Sequence, residues 1–296
     1  MKKNKLRNAA QVYLSIAPFV VILFVLATGR GSYYLPVWSM GFFLPIWIMN
    51  IILMIISAWF LGAYTIKNND TEKKQLAFIA CFLIAPFLFL SLVGGMGAPP
   101  ESLKETLENV TRERIRYSFI ITSGILMGIG LILLREKLRQ TKGNFYAQLG
   151  YAAIVIALPV FIVVNSFWHT VSLSVTSDIF NSKAGSGSAS FPEWFSFFRN
   201  QVWVLNVAEV CLTYLAIAAF ASALKAAQLF HKTPSLIYSL ISFLAIICIL
   251  SYPSYASQTV YPDFPFIPLM IPAVPMLVIY YIGINLLRKA GEVDGK

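Results

Sequence analysis

Eight stretches of this chain are apolar and almost uncharged for long enough to cross a bilayer. They lie near residues 12–28, 41–65, 76–97, 117–134, 148–170, 202–224, 235–255 and 264–287. A helical crossing needs roughly 20 such residues. The expectation is an all-α integral membrane protein with about eight transmembrane helices. Composition agrees, since charged residues make up 12% of the chain and a soluble domain carries about 25%.

The net charge of +10 raises the question of nucleic acid as a partner. The basic residues sit in short clusters between apolar runs, as topology signals do. No basic stripe is interleaved with aromatics on a polar domain, so nucleic acid is excluded. The partner this pattern does imply is the lipid bilayer. Cys81, Cys211 and Cys248 all fall inside apolar runs and none forms a CxxC pair. Neither a disulfide framework nor a zinc site is supported.

Lysine and arginine favour the cytoplasmic side. With the N-terminus inside, sixteen of the 23 basic residues fall on that side, among them Arg7, Lys137, Lys225, Arg288 and Lys289. Both termini are then cytoplasmic. Four of the other seven, Lys104, Arg112, Arg114 and Arg116, share one outer loop with Glu101, Glu105, Glu108 and Glu113. Their roughly helical spacing reads as a short surface helix ahead of helix 4. Residues 1–29 also resemble a signal peptide, with Ala27-Thr28-Gly29 before a cut. An internal repeat that needs helix 1 argues against cleavage. The compact layout points to a bacterial cytoplasmic membrane.

That repeat is read from two motifs. Pro36, Trp38, Phe42, Trp47 and Asn50 match Pro192, Trp194, Phe198, Trp203 and Asn206, residue for residue and without a gap. Ile129, Gly130, Leu133, Leu134 and Arg135 match Ile282, Gly283, Leu286, Leu287 and Arg288 in the same way. The chain thus reads as two four-helix repeats, 1–143 and 144–296. Each has an even number of helices, so the two are parallel, related by an axis along the membrane normal. Transporters place their sites at such repeat interfaces.

Phe43-Leu44-Pro45-Ile46-Trp47, with Met54 and Ala58-Trp59, resembles the start of the second helix in the tryptophan-rich sensory (TSPO) proteins. Pro36-Val37-Trp38 resembles that family's preceding loop. The likeness covers residues 36–59. That family's five-helix layout and its Trp-rich third helix are absent, so no binding residue is carried over.

Matched positions that stay alike suit a scaffold, and Asn50 and Asn206 are expected to bond neighbouring helices. Positions that differ suit function. Glu209 is the only carboxylate inside a span, and Leu53 is its counterpart. A charge at that depth costs roughly 2.5–3.5 kcal/mol on insertion scales, so it faces protein or a wet cavity. Asn206, Glu209 and Thr213 share a face of helix 6. Asn165 and His169, four residues apart, share a face of helix 5. The antiparallel course of these helices allows a contact between His169 and Glu209. His231 lies on the other side of the membrane, so the two histidines do not ligate one haem. Pro265, Pro268, Pro272 and Pro275 predict a bent or unwound outer half of helix 8. A long loop over 171–201 carries a Gly/Ser stretch, 183–190, followed by Phe191, Trp194, Phe195, Phe197 and Phe198. It reads as an interfacial anchor or a lid.

There is no P-loop, GxSxG or HExxH, and no cluster of metal-ligating residues in a span. The leading expectation is a protein that binds or transports a small molecule, with proton coupling, through an outward-facing pocket. Its residues are Asn165, His169, Asn206, Glu209 and Thr213. One alternative is a non-catalytic subunit of a larger membrane complex. Another is a membrane enzyme acting on a lipid or cofactor at the outer face. The sequence names no cofactor.

Overall fold

A computed structural model describes residues 2–32, 38–67, 69–96, 109–172, 174, 193–251, 269 and 271–292. Among them there are eight long helices and no strand. They are α1 (Lys2–Ser32), α2 (Trp38–Leu61), α3 (Thr71–Gly95), α4 (Val110–Leu138), α5 (Asn144–Ser166), α6 (Glu193–Ala226), α7 (Lys232–Leu250) and α8 (Ala273–Ala290). All eight are long and apolar enough to cross a membrane. A 3₁₀ turn (Ala63–Lys67) follows α2, and a π turn (Phe167–Ser172) follows α5.

Local chemistry sets several boundaries. Asp70 caps α3 by accepting from the amides of Glu72 and Lys73, at 3.0 and 3.2 Å. After α6 the chain turns through Gln228 at φ 60°. There the amides of Leu229 and Phe230 both donate to the Leu224 carbonyl. At the start of α8, Pro272 precedes the helix and Pro275 lies in its first turn, where a missing amide costs no helical bond. Ile271 and Pro272 form a bend and a turn between the helical Leu269 and α8. Pro265 and Pro268 lie outside the described residues.

A correction concerns the segments that lead into α4 and α6. Residues 110–116 belong to α4 itself, not to a separate surface helix, and 101–108 lie outside the described residues. Trp194, Phe195, Phe197 and Phe198 fall in the first turns of α6, where Phe197 and Phe198 are exposed. Phe191 and the Gly/Ser stretch 183–190 lie outside the described residues.

Helices α3, α4, α5, α6 and α8 pack in a circuit, each on the next, closed by α8 lying between α3 and α6. The α1–α2 hairpin flanks α3 and α8, and α7 flanks α6. The most buried spans are α3, α6 and α8; the least buried are α1, α2 and α7. Exposed Ile48, Ile52, Ile55, Leu236, Leu240, Phe243 and Ile247 cover the outer faces of α2 and α7. Contiguous apolar surface on that scale suits hydrocarbon rather than water.

Polar side chains tie the bundle. Tyr13 donates to Asn50 Oδ1 at 2.6 Å, joining α1 to α2. This is the scaffold role expected of that asparagine. Trp47 Nε1 donates to Ser91 Oγ at 2.7 Å, joining α2 to α3. Tyr280 and Tyr281 of α8 donate to the carbonyls of Leu14 and Ser15, at 2.7 and 2.8 Å. With Arg7 donating to the Arg288 carbonyl at 2.8 Å, the first half of α1 is tied to α8.

The two matched glycines both press on α3. A Cβ on Gly130 would overlap the Leu83 side chain, and one on Gly283 would meet Leu83 Cβ at 3.1 Å and the Ala80 carbonyl at 3.1 Å. Leu83 is fully buried between α4 and α8. Helix α8 thus packs broadly on α3, whereas α4 and α7 do not pack broadly on each other.

Candidate functional site

Glu209 lies near the middle of α6 and is 4% exposed. Its carboxylate accepts a hydrogen bond from Thr213 Oγ1 at 2.8 Å. Helical spacing brings this pair together, since residues four apart stack on one face. Among the described residues no lysine, arginine or histidine forms an ion pair with it. Asn206, one turn earlier, is half-buried and has no hydrogen-bond partner among the described residues.

On α5, Asn165 is buried and donates to the Phe161 carbonyl of its own helix at 2.8 Å. His169 sits in the π turn, half-buried, with Nε2 3.5 Å from Ser118 Oγ of α4. Although α5 packs broadly on α6, no hydrogen bond or ion pair joins His169 to Glu209. The structure therefore brings Glu209 and Thr213 together directly. It places Asn206 beside them on α6 and turns His169 toward α4.

Tyr214 extends the site toward α8. Its hydroxyl donates to the Leu269 carbonyl at 3.0 Å. Ile271 and Pro272 then form a bend and a turn before α8 begins. With 18 residues, α8 is about 27 Å long, slightly shorter than the roughly 30 Å hydrocarbon core. At the depth where it begins, the bend at Ile271 and the turn at Pro272 separate it from Leu269, which is itself helical. Irregular backbone is tolerated there only against protein or a wet cavity.

Sequence reasoning missed a buried ion pair at the start of α4. Glu113 and Arg116 are 2% and 5% exposed and lie 3.0 Å apart, with Arg112 at 3.3 Å from the same carboxylate. Their i, i+3 spacing signalled a pair, but the balanced charges of the neighbouring loop read as a solvated surface. Two cavities open at the other end of the bundle. One, about 400 Å³, is lined by Tyr146, Ser222, Lys225, Ser235 and Ser239. The other, about 70 Å³, lies between the α6–α7 turn and the end of α8. Ser222 is about 20 Å along α6 from Glu209, so neither cavity contains the expected site.

The fold and its apolar surface define a multi-pass membrane protein of the all-α class. No protein family, no curated protein and no solved structure matches the chain. Among the described residues no group of three or more His, Cys, Asp or Glu side chains could hold a metal ion.

Proposed function

We propose that the protein binds or moves a small molecule across the cytoplasmic membrane, with Glu209 as the proton-exchanging group. The observation that carries this reading is the burial of a carboxyl group at mid-span with one hydroxyl, Thr213, as its bonded partner. Intramembrane ionisable residues are costly and mark pathways or proton relays. The break at Ile271 and Pro272, next to the Leu269 carbonyl that Tyr214 holds, supports it, because interrupted helices line substrate sites in many transporters. Asn206 is the third member on α6. Asn165 and His169 belong to the wall formed by α5, with His169 acting through Ser118 and α4 rather than on Glu209.

The orientation with both termini cytoplasmic and the parallel four-plus-four repeat belong to the same proposal. Support for the first is the meeting of Arg7, at the start of α1, with Arg288, at the end of α8. Support for the second is the gapless match of the two sequence motifs between the halves.

The test begins with native mass spectrometry and an absorption scan of the protein in mild detergent. A retained small mass supplies the ligand. Its binding, or its uptake into proteoliposomes, is then followed against pH in wild type and in Glu209→Gln. The expected result is loss of the pH dependence in the variant. An unchanged pH profile would sink the assignment. Co-purifying polypeptides without a retained small molecule would favour the complex-subunit reading instead.

A further inference from the structure

We infer that the cavity between the α6–α7 turn and the end of α8 is a binding site for a single phosphate group. It is lined by Gln228, His231, Asn285, Arg288, Lys289 and Glu292, with Leu229, Phe230 and Pro234 as an apolar wall. Its volume is about 70 Å³, where one water needs about 10–15 Å³. That is room for one tetrahedral oxyanion.

The charge around it is positive. Arg288 and Lys289 reach it from α8, and the Arg7 guanidinium lies against the Arg288 carbonyl. The one carboxylate, Glu292, is held by Lys289 at 2.9 Å. The negative end of α8 is muted, because the Leu287, Arg288 and Lys289 carbonyls accept from Gly291, Arg7 and Glu292. The start of α7 adds its own partial positive charge, since His231 gives it no side-chain cap.

The guanidinium of Arg288 decides the case against a mere topology signal. Its counterpart in the other matched motif, Arg135, is paired with Glu136 at 2.7 Å and stacked 5.4 Å over the Tyr151 ring. Arg288 has no hydrogen-bond or ion-pair partner among the described residues, yet it is half-buried at the cavity. Asn285 is already engaged with Tyr238 and the Tyr281 carbonyl, so it shapes the wall. An arginine fork lining such a recess fits phosphate geometry. The phosphate belongs either to a lipid headgroup of the adjacent leaflet or to a free anion.

Calorimetric titration of the full chain in maltoside detergent tests this, with inorganic phosphate and short-chain phosphatidylglycerol as separate probes. Wild type is expected to bind one equivalent. Arg288→Gln should weaken binding about tenfold or more, as loss of a charge-assisted hydrogen bond implies. Arg288→Lys should retain part of it. Lys225→Gln removes the same charge at the same end of the bundle but outside this cavity, and should change nothing. Binding of both probes supports a free-anion site, and binding of the lipid alone supports a headgroup site. Failure of both probes to bind, or equal weakening by Lys225→Gln, overturns the proposal. If Arg288→Gln does not elute as folded protein, Lys289→Gln takes its place, with the same weakening expected and an unchanged affinity refuting.

Discussion

Gly62 and Gly291 meet at one end of the bundle, where α2 and α8 finish. A Cβ on Gly62 would overlap the Leu287 carbonyl and sit 3.0 Å from Gly291 N. A Cβ on Gly291 would overlap the Leu61 carbonyl and sit 3.0 Å from Gly62 Cα. Ordinary contact begins at 3.4 Å, and every atom in the way is backbone. Backbone cannot swing aside as a side chain does, so the two chain segments must part. Neither glycine is held in a left-handed conformation: Gly291 has φ −81°, and no positive φ is recorded at Gly62. Close approach is thus the reason for both. Overpacking of this kind costs about 1–3 kcal/mol. The measurement is an unfolding titration in mixed micelles followed by tryptophan fluorescence. Gly62→Ala and Gly291→Ala should each lose about 1–3 kcal/mol. Both impose the same separation, so the double variant should lose clearly less than the two together. Strict additivity, or a Gly62→Ala variant as stable as wild type, would refute the reasoning.

Further perturbations probe the other polar ties. Glu113→Gln leaves Arg116 and Arg112 without their shared carboxylate and should cost toward the lower end of about 3–5 kcal/mol. A sharp fall in monodisperse protein on size exclusion is the readout, and an unchanged yield and melting profile would show the pair to be dispensable. Tyr280→Phe and Tyr281→Phe each remove one hydroxyl bond from α8 to α1. Interhelical bonds in membranes average about 0.6 kcal/mol, so small and similar losses are expected in the same titration. A loss above about 2 kcal/mol from either would contradict a hydrogen-bond origin.

The eight spans were legible because hydropathy alone decides them. The bilayer imposes one length on every crossing, and apolar runs report it directly. Boundaries were less legible where polar or rigid residues enter a helix end. Residues 110–116 extend α4 because Glu113 and Arg116 neutralise each other in a buried place, a fact that charge counting along a loop cannot reveal. Pro272 and Pro275 forecast a disturbed α8, and a bend and a turn at Ile271 and Pro272 precede it; whether proline kinks or starts a helix depends on how far the helix runs before it. At the candidate site, the Glu209–Thr213 bond followed from spacing within one helix. The pairing of His169 with Ser118 did not, because it depends on how α5 rotates against α4. The cavity at Arg288 was hidden for the same reason, since Gln228, His231 and Arg288 meet only through the packing of α6, α7 and α8.

The clasp on Leu83 bears on how the protein is made. Helix α3 leaves the ribosome long before α8, yet α8 supplies one of the two glycine faces that enclose it. Until then the Ala80–Ile84 surface of α3 faces lipid or a temporary neighbour. Insertion and final packing are therefore separate events in time, and a chain interrupted before α8 would sit in the membrane as an open assembly, exposed to quality-control proteases.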